Sequence, residues 1–392
     1  MKIAVLGTLD TKGHEHAFVA ERIRERGHEP LLIDVGTAEP PQIEPDIARE
    51  EIVTGGFTEP NDRGTCVVQM AAAVPEFVAG LADKGKIEGI VSLGGGGGTA
   101  IATAAMRALP VGFPKLMVST LASGNTAHYV GTKDIVMFPS IVDVAGLNRI
   151  SRMIFSRAAG AICGMVEAKL DEGDAKPIIA ASMFGNTTDC VNTAKEVLEE
   201  AGYEVLVFHS TGAGGMTMES LIESGMVAGV LDITTTEWAD ELVGGTLTAG
   251  PTRLDATAKA GVPAVVVPGC VDMVNFGERD SVPEKYEGRN FYIHNPQVTL
   301  MRTDSEENAE LGKILAQKVN AYSAKAAVYL PTKAVSVISS EGQPFYDADA
   351  DAALFGAIRA NLKEGVPLVE MDCEINDPEF ARACAEALLA ML

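Results

Sequence analysis

At 392 residues, 47% of them hydrophobic and 22% charged, the chain carries apolar material for more than one core, since single domains usually hold about 100–200 residues. Its 31 basic residues against 54 acidic ones leave a net charge of -23, which repels a polyphosphate backbone and argues against nucleic acid as a partner. Six widely spaced cysteines without a CxxC pair argue against zinc and disulfides and point to reduced thiols in a cytoplasmic setting; no uninterrupted apolar window approaches the ~18 residues of a membrane span, so no membrane partner is expected.

Short apolar runs that end in glycine-rich turns and lead into helical patterns recur along the chain, the grammar of βα units on a parallel sheet. The first unit is a strand over 2–6, the loop 7–13 (GTLDTKG), a helix to about Arg26 with Gly27 as its C-cap, and a strand over 31–35. A helical stretch over 62–84, interrupted by Pro75, precedes a strand over 89–93 and five consecutive glycines closed by Thr99. A helix to about Leu109, a strand over 116–120, a polar loop at 121–125 and a long helix over 142–168 follow.

The charged run 170–177 (LDEGDAKP) separates two pattern blocks, giving an N-terminal domain over 1–172 and a C-terminal domain over 177–392. The second block repeats the first: a strand over 178–182, a loop at 184–189, a helix ending near 199–204, a strand over 205–208, then runs at 229–236 and 261–267. Agreement in order and approximate spacing points to internal duplication, with Gly185 corresponding to Gly7. The tail predicts a helix over 305–322, a strand over 335–338, a helix over 346–363, a strand over 366–370 and a helix over 378–391. The expected fold is therefore α/β, with two Rossmann-like domains of mostly parallel strands and ligands at the strand carboxyl ends and the interdomain cleft.

Loops at strand carboxyl ends feed helix N-termini, whose free N–H groups and dipole favour anions. In the first, Gly7 allows close backbone approach, Thr8 and Thr11 offer hydroxyls, Asp10 caps the helix or holds a metal, and Lys12 supplies a charge. It is neither a Walker A loop nor GxGxxG. Asp34 ends the second strand, where an acidic side chain can accept from a ribose hydroxyl. Gly94, Gly95, Gly96, Gly97 and Gly98 lose much chain entropy on folding, about 1 kcal/mol each relative to alanine, which a phosphate cradle explains better than packing. Thr99 can then bind a phosphate oxygen or Mg2+, and Ser123 and Gly124 belong to a neighbouring polar loop. Plain turn and capping duty remains the competing reading for these loops.

In the second half no lysine stands where Lys12 stands in the first, so its loops, with Gly185, Asn186 and Thr187, then Gly212, Gly214 and Gly215, then Thr235 and Thr236, suit a neutral or sugar-like group or add acidic groups to a cleft. His209, Glu237 and Asp272 are the candidate proton-moving groups. His14 and His16 stand two apart on a helix and so point apart, which does not make a joint metal site.

Several ordered motifs carry a resemblance: residues 3–13 (IAVLGTLDTKG), 92–99 (SLGGGGGT), 185–188 (GNTT), 209–215 (HSTGAGG), 267–276 (VPGCVDMVNF) and 343–347 (QPFYD). Over essentially the whole chain the sequence resembles the uncharacterised family related to the ATP-binding N-terminal domain of the tomato mosaic virus resistance protein. That resemblance implies two α/β domains, binding of ATP with Mg2+, and a homodimer, with Gly7, Thr8, Asp10, Thr11, Lys12 and Gly94 to Thr99 assigned to the nucleotide. The expected function is ATP binding, in an enzyme for a small polar metabolite. The alternatives are an isomerase or transferase of phosphorylated sugars or acids, and a non-enzymatic interaction module regulated by nucleotide.

Overall fold

The computed structural model describes residues 1–169 and 175–392. The chain divides into two compact units, Met1–Glu172 and Gly173–Leu392. Most of the predicted charged run, residues 170–174, lies outside the described residues.

The N-terminal unit is built on five parallel strands, β1 (Lys2–Gly7), β2 (Glu29–Asp34), β3 (Gly89–Gly94), β4 (Lys115–Ser119) and β5 (Val136–Pro139), in the order β2-β1-β3-β4-β5. The central strands are apolar at successive positions because both faces are covered. Ile3, Val5, Val91 and Leu93 pack with residues of helices Leu9–Arg24 and Arg149–Glu167, while Ala4, Leu6, Ile90 and Met117 pack with helices Arg63–Asp83 and Gly96–Arg107.

Helix Arg63–Asp83 runs through Pro75 rather than breaking there. By length and composition it could cross a membrane, contrary to the sequence expectation. Here Cys66, Met70, Val74 and Val78, spaced four apart, are buried on one stripe, three of them within the domain core.

The C-terminal unit repeats the opening strand order. β6 (Ile178–Met183), β7 (Glu204–His209), β8 (Val227–Thr234) and β9 (Ala264–Gly269) lie in the order β7-β6-β8-β9, as β2-β1-β3-β4 do. Three strands follow that, like β5 and the strand over 326–331, the sequence did not foresee: β10 (Met273–Phe276), β11 (Phe291–Asn295) and β12 (Val298–Arg302), an antiparallel sheet in the order β10-β12-β11. β13 (Ala326–Pro331) and β14 (Leu368–Met371) then complete a six-stranded parallel sheet. The strand predicted over 335–338 is absent; Val337–Ser339 is a single 3-10 turn that Ser336 caps through its hydroxyl.

Candidate functional site

The carboxyl ends of β1, β2 and β3 open on one cavity of about 250 Å3. Thr8, Asp10, Thr11 and Lys12 reach it from the loop and first turn after β1, Thr37 and Ala38 from the loop after β2, and Gly95 to Gly98 from the turn after β3. Arg63, Val67, Ile101 and Asp143 close its walls. The two loops richest in sequence signal thus meet, together with residues the sequence did not flag. Arg63, Asp143, Thr37 and Ala38 belong to no recognisable motif.

The glycine run is not a flexible loop. Gly94 ends β3, Gly95 is the N-cap, and Gly96 already begins a 12-residue helix. Gly94 is required by packing, because a Cβ there would stand 3.1 Å from Gly98 Cα. At Gly96 a Cβ would meet nothing within 4 Å. Its lack of a side chain instead leaves the first-turn N–H groups uncovered, and these have no intrahelical acceptors. No side chain caps this helix.

Asp10 is buried, and its Oδ2 accepts from the N–H groups of Thr37 at 3.1 Å and Ala38 at 3.0 Å, pinning the loop after β2 rather than capping its own helix. Its buried Oδ1 has no hydrogen-bond partner among the described residues. A buried carboxylate oxygen left in this state costs free energy unless a donor or cation meets it. The Lys12 ammonium donates to the Val144 carbonyl, tying the β1 loop to the segment after β5.

Gly7 serves packing and not ligand approach. It is buried, and a Cβ there would lie 2.3 Å from Nε2 of His16. His16 is fully buried, with Nδ1 2.7 Å from the Lys12 carbonyl and Nε2 accepting from the Leu93 N–H at 3.4 Å. These partners fit the neutral ring protonated on Nδ1. Burial pushes its pKa from 6.5 down to about 4. The unfolded chain takes up the proton first, so this stability is complete above about pH 6.5 and is lost as pH falls towards about 4, in total about 3 kcal/mol. Amide exchange in β1 and β3 at pH 7, 5.5 and 4 is expected to show that decline; a flat profile would exclude it.

Asp34 is turned inward, its Oδ1 accepting from Gly36 at 2.8 Å and Leu9 at 3.1 Å, so it is not presented to a ribose. Burial raises its pKa despite those two bonds. Thr99 is likewise buried, its hydroxyl 2.7 Å from Ser119 Oγ, and it does not line the cavity; it is no metal ligand in this arrangement. Of the two expected metal positions, only Asp10 keeps a free oxygen. No group of three or more His, Cys, Asp or Glu side chains suited to a metal occurs among the described residues. Ser123 lines a second cavity beside the first, while Gly124 donates to the Leu121 carbonyl in its own turn.

In the C-terminal unit the predicted ligand loops are filled by the protein itself. Glu237, a candidate acid–base residue, is buried and accepts from Gly212 at 2.8 Å, Gly215 at 3.0 Å and Arg253 Nε at 2.7 Å. A Cβ at Gly215 would stand 2.1 Å from the Glu237 carboxylate, at Gly214 1.8 Å from the His209 carbonyl oxygen, and at Gly212 2.6 Å from the Thr248 carbonyl oxygen. These glycines answer to packing. Arg253, which the sequence did not mark, is buried and also pairs with Asp232 at 2.6 Å and Glu219 at 3.0 Å. Burial alone would lower its pKa, but Asp232, Glu237 and Glu219 hold it well above the usual arginine value.

Thr235 donates to the Val267 carbonyl, Thr236 to that of Met273, and Thr187 shares a 2.7 Å bond with Thr234. Asp272 is buried, accepts from Ser336 Oγ at 2.8 Å, and is pushed up by burial. Asn186 approaches Met273 Sδ and accepts from Asn376 through its carbonyl, beside exposed Gly185. His209 is exposed at the end of edge strand β7, its ring 5.4 Å from that of Phe184. The three acid–base candidates are therefore not gathered into one constellation: Glu237 and Asp272 have separate partners, and His209 meets the glycine loop only through its backbone.

Two doubly wound parallel sheets, each flanked by helices and presenting its loops at the strand carboxyl ends, define a two-domain Rossmann-like α/β protein. The chain belongs to the uncharacterised protein family UPF0261, whose N-terminal domain matches residues 1–171 and whose C-terminal domain matches residues 176–392. It is 51% identical over 400 residues to a UPF0261 protein of Clostridium tetani, covering 100% of this chain and 99% of the relative. The relation to the tomato protein also holds: the ToMV resistance protein Tm-1(GCR237) of Solanum lycopersicum is 41% identical over 335 residues, 83% of this chain and 44% of that one. Among solved structures, a UDP-N-acetylglucosamine 2-epimerase from Rickettsia bellii is similar at 12% identity and TM-score 0.22, over 68% of this chain and 78% of that one.

Proposed function

We propose that the N-terminal domain binds a nucleoside triphosphate, ATP, as its Mg2+ complex, in the cavity at the ends of β1, β2 and β3. The observation that carries this reading is the set of uncovered helix N-terminal amides at Gly96 in a cavity that the Asp10 carboxylate and Arg63 also line. The amides and helix dipole suit phosphate oxygens, Arg63 adds a cation at the wall, and Asp10 suits a divalent ion carried by the phosphates. Thr99 has no part in it. The isomerase or transferase reading draws less support, because Glu237 and Asp272 are buried and already hydrogen-bonded.

Calorimetric titration with Mg-ATP is expected to give saturable binding, and its absence would sink the proposal. Asp10→Asn is expected to narrow the affinity gap between ATP with and without Mg2+ by about tenfold, or about 1.4 kcal/mol. An unchanged gap would remove Asp10 from the ion site.

A further inference from the structure

The second cavity, about 300 Å3, shares Asp143 as a wall with the first and is lined by Thr120, Ser123, Ser140 and Ile141 among others. The two are joined at the glycine run, since the Thr120 N–H donates to the Gly94 carbonyl and Thr120 Oγ1 lies 3.7 Å from where a Gly95 Cβ would be. Ile141 breaks two rules at once. It is 73% exposed, and its φ is +66°. A β-branched side chain in the left-handed region is a genuine outlier and costs on the order of 1–3 kcal/mol.

The strain is held locally. The Val142 N–H donates back to the Ser140 carbonyl at 2.8 Å, closing a three-residue turn of the rare, strained kind centred on Ile141. Ser140 in turn donates from its N–H to the Ser119 carbonyl at 3.1 Å and from its hydroxyl to the Val142 carbonyl at 2.6 Å. The result is a large apolar side chain displayed at the rim of a hydroxyl-bearing chamber, one wall away from the glycine cradle.

We infer that this second chamber is the nucleoside subsite, with Ile141 as the apolar platform for the base and Ser123 and Thr120 facing the sugar hydroxyls; the inference rests on the first cavity being the phosphate site. An anion without a nucleoside uses only the first cavity. A nucleotide uses both, and gains from covering an exposed isoleucine.

The test compares Mg-ATP with Mg-tripolyphosphate by calorimetry on the full chain and on Ile141→Gly and Ser123→Ala. The intact protein is expected to bind ATP at least tenfold more tightly than tripolyphosphate. Ile141→Gly is expected to weaken ATP at least fivefold and to leave tripolyphosphate within twofold, with the thermal midpoint unchanged or raised, because glycine accepts φ +66° without strain. Ser123→Ala, at an exposed turn, is expected to act in the same direction more weakly. Equal affinities for the two ligands in the intact protein would overturn the nucleoside subsite while leaving the phosphate site standing, as would an Ile141→Gly protein that loses both ligands alike. Failure of both ligands to bind the intact protein would overturn the phosphate site, and the subsite with it.

Discussion

Replacing Arg253 with leucine is expected to destabilise the C-terminal domain by about 3–5 kcal/mol, because the carboxylates of Glu219, Asp232 and Glu237 would remain buried without their shared cation. The effect comes from what is left behind more than from the bonds lost. Burial raises Glu219 and Glu237 even with the guanidinium in place, and its removal raises them further. Groups raised in the folded state bind protons there first, so the penalty is greatest at neutral pH and shrinks as pH falls towards the ordinary carboxyl range. Trp238, the single tryptophan, is 6% exposed and adjoins Glu237, so its fluorescence reports this unfolding under denaturant. A midpoint unchanged at pH 7 would mean that the cluster is already neutralised by protons and that Arg253 is dispensable.

Gly96→Val is expected to lower Mg-ATP affinity at least tenfold while leaving folding stability within about 0.5 kcal/mol, since a Cβ there has nothing within 4 Å and valine tolerates a helix better than glycine. Gly94→Ala should show the reverse, a cost of about 1–3 kcal/mol from its 3.1 Å contact with Gly98 Cα. The pair separates a glycine kept for room from one kept for packing. Loss of stability at Gly96, or unchanged affinity in a folded Gly96→Val protein, would remove the cradle from the binding site.

The βα grammar of the first 119 residues could be read from the sequence because the central strands are buried on both faces and the turns between elements are marked by glycine. Pro75 misled because a single proline is a local signal, whereas the stripe Cys66, Met70, Val74 and Val78 commits one face of the helix to the core along its length. The β10-β12-β11 sheet was hidden because its strands are only four or five residues long. At the candidate site, the sequence placed Asp10, Lys12 and the glycines near one another but could not orient them. Asp34 stands at its strand end and Thr99 in the first helical turn, as expected, yet their partners Gly36, Leu9 and Ser119 turn them inward. Arg253 carried no signal, because its three partners lie 16 to 34 residues away along the chain.

The Glu237 carboxylate, held by the Gly212 and Gly215 amides and by Arg253, gives the C-terminal domain a resident anion of its own. Those donors are spoken for, so a phosphate arriving there would have to evict a tethered competitor whose effective concentration no free metabolite matches. The two halves share a strand order but treat a glycine-rich helix start in opposite ways: one leaves its first-turn amides uncovered at Gly96, and the other has built the anion into its chain.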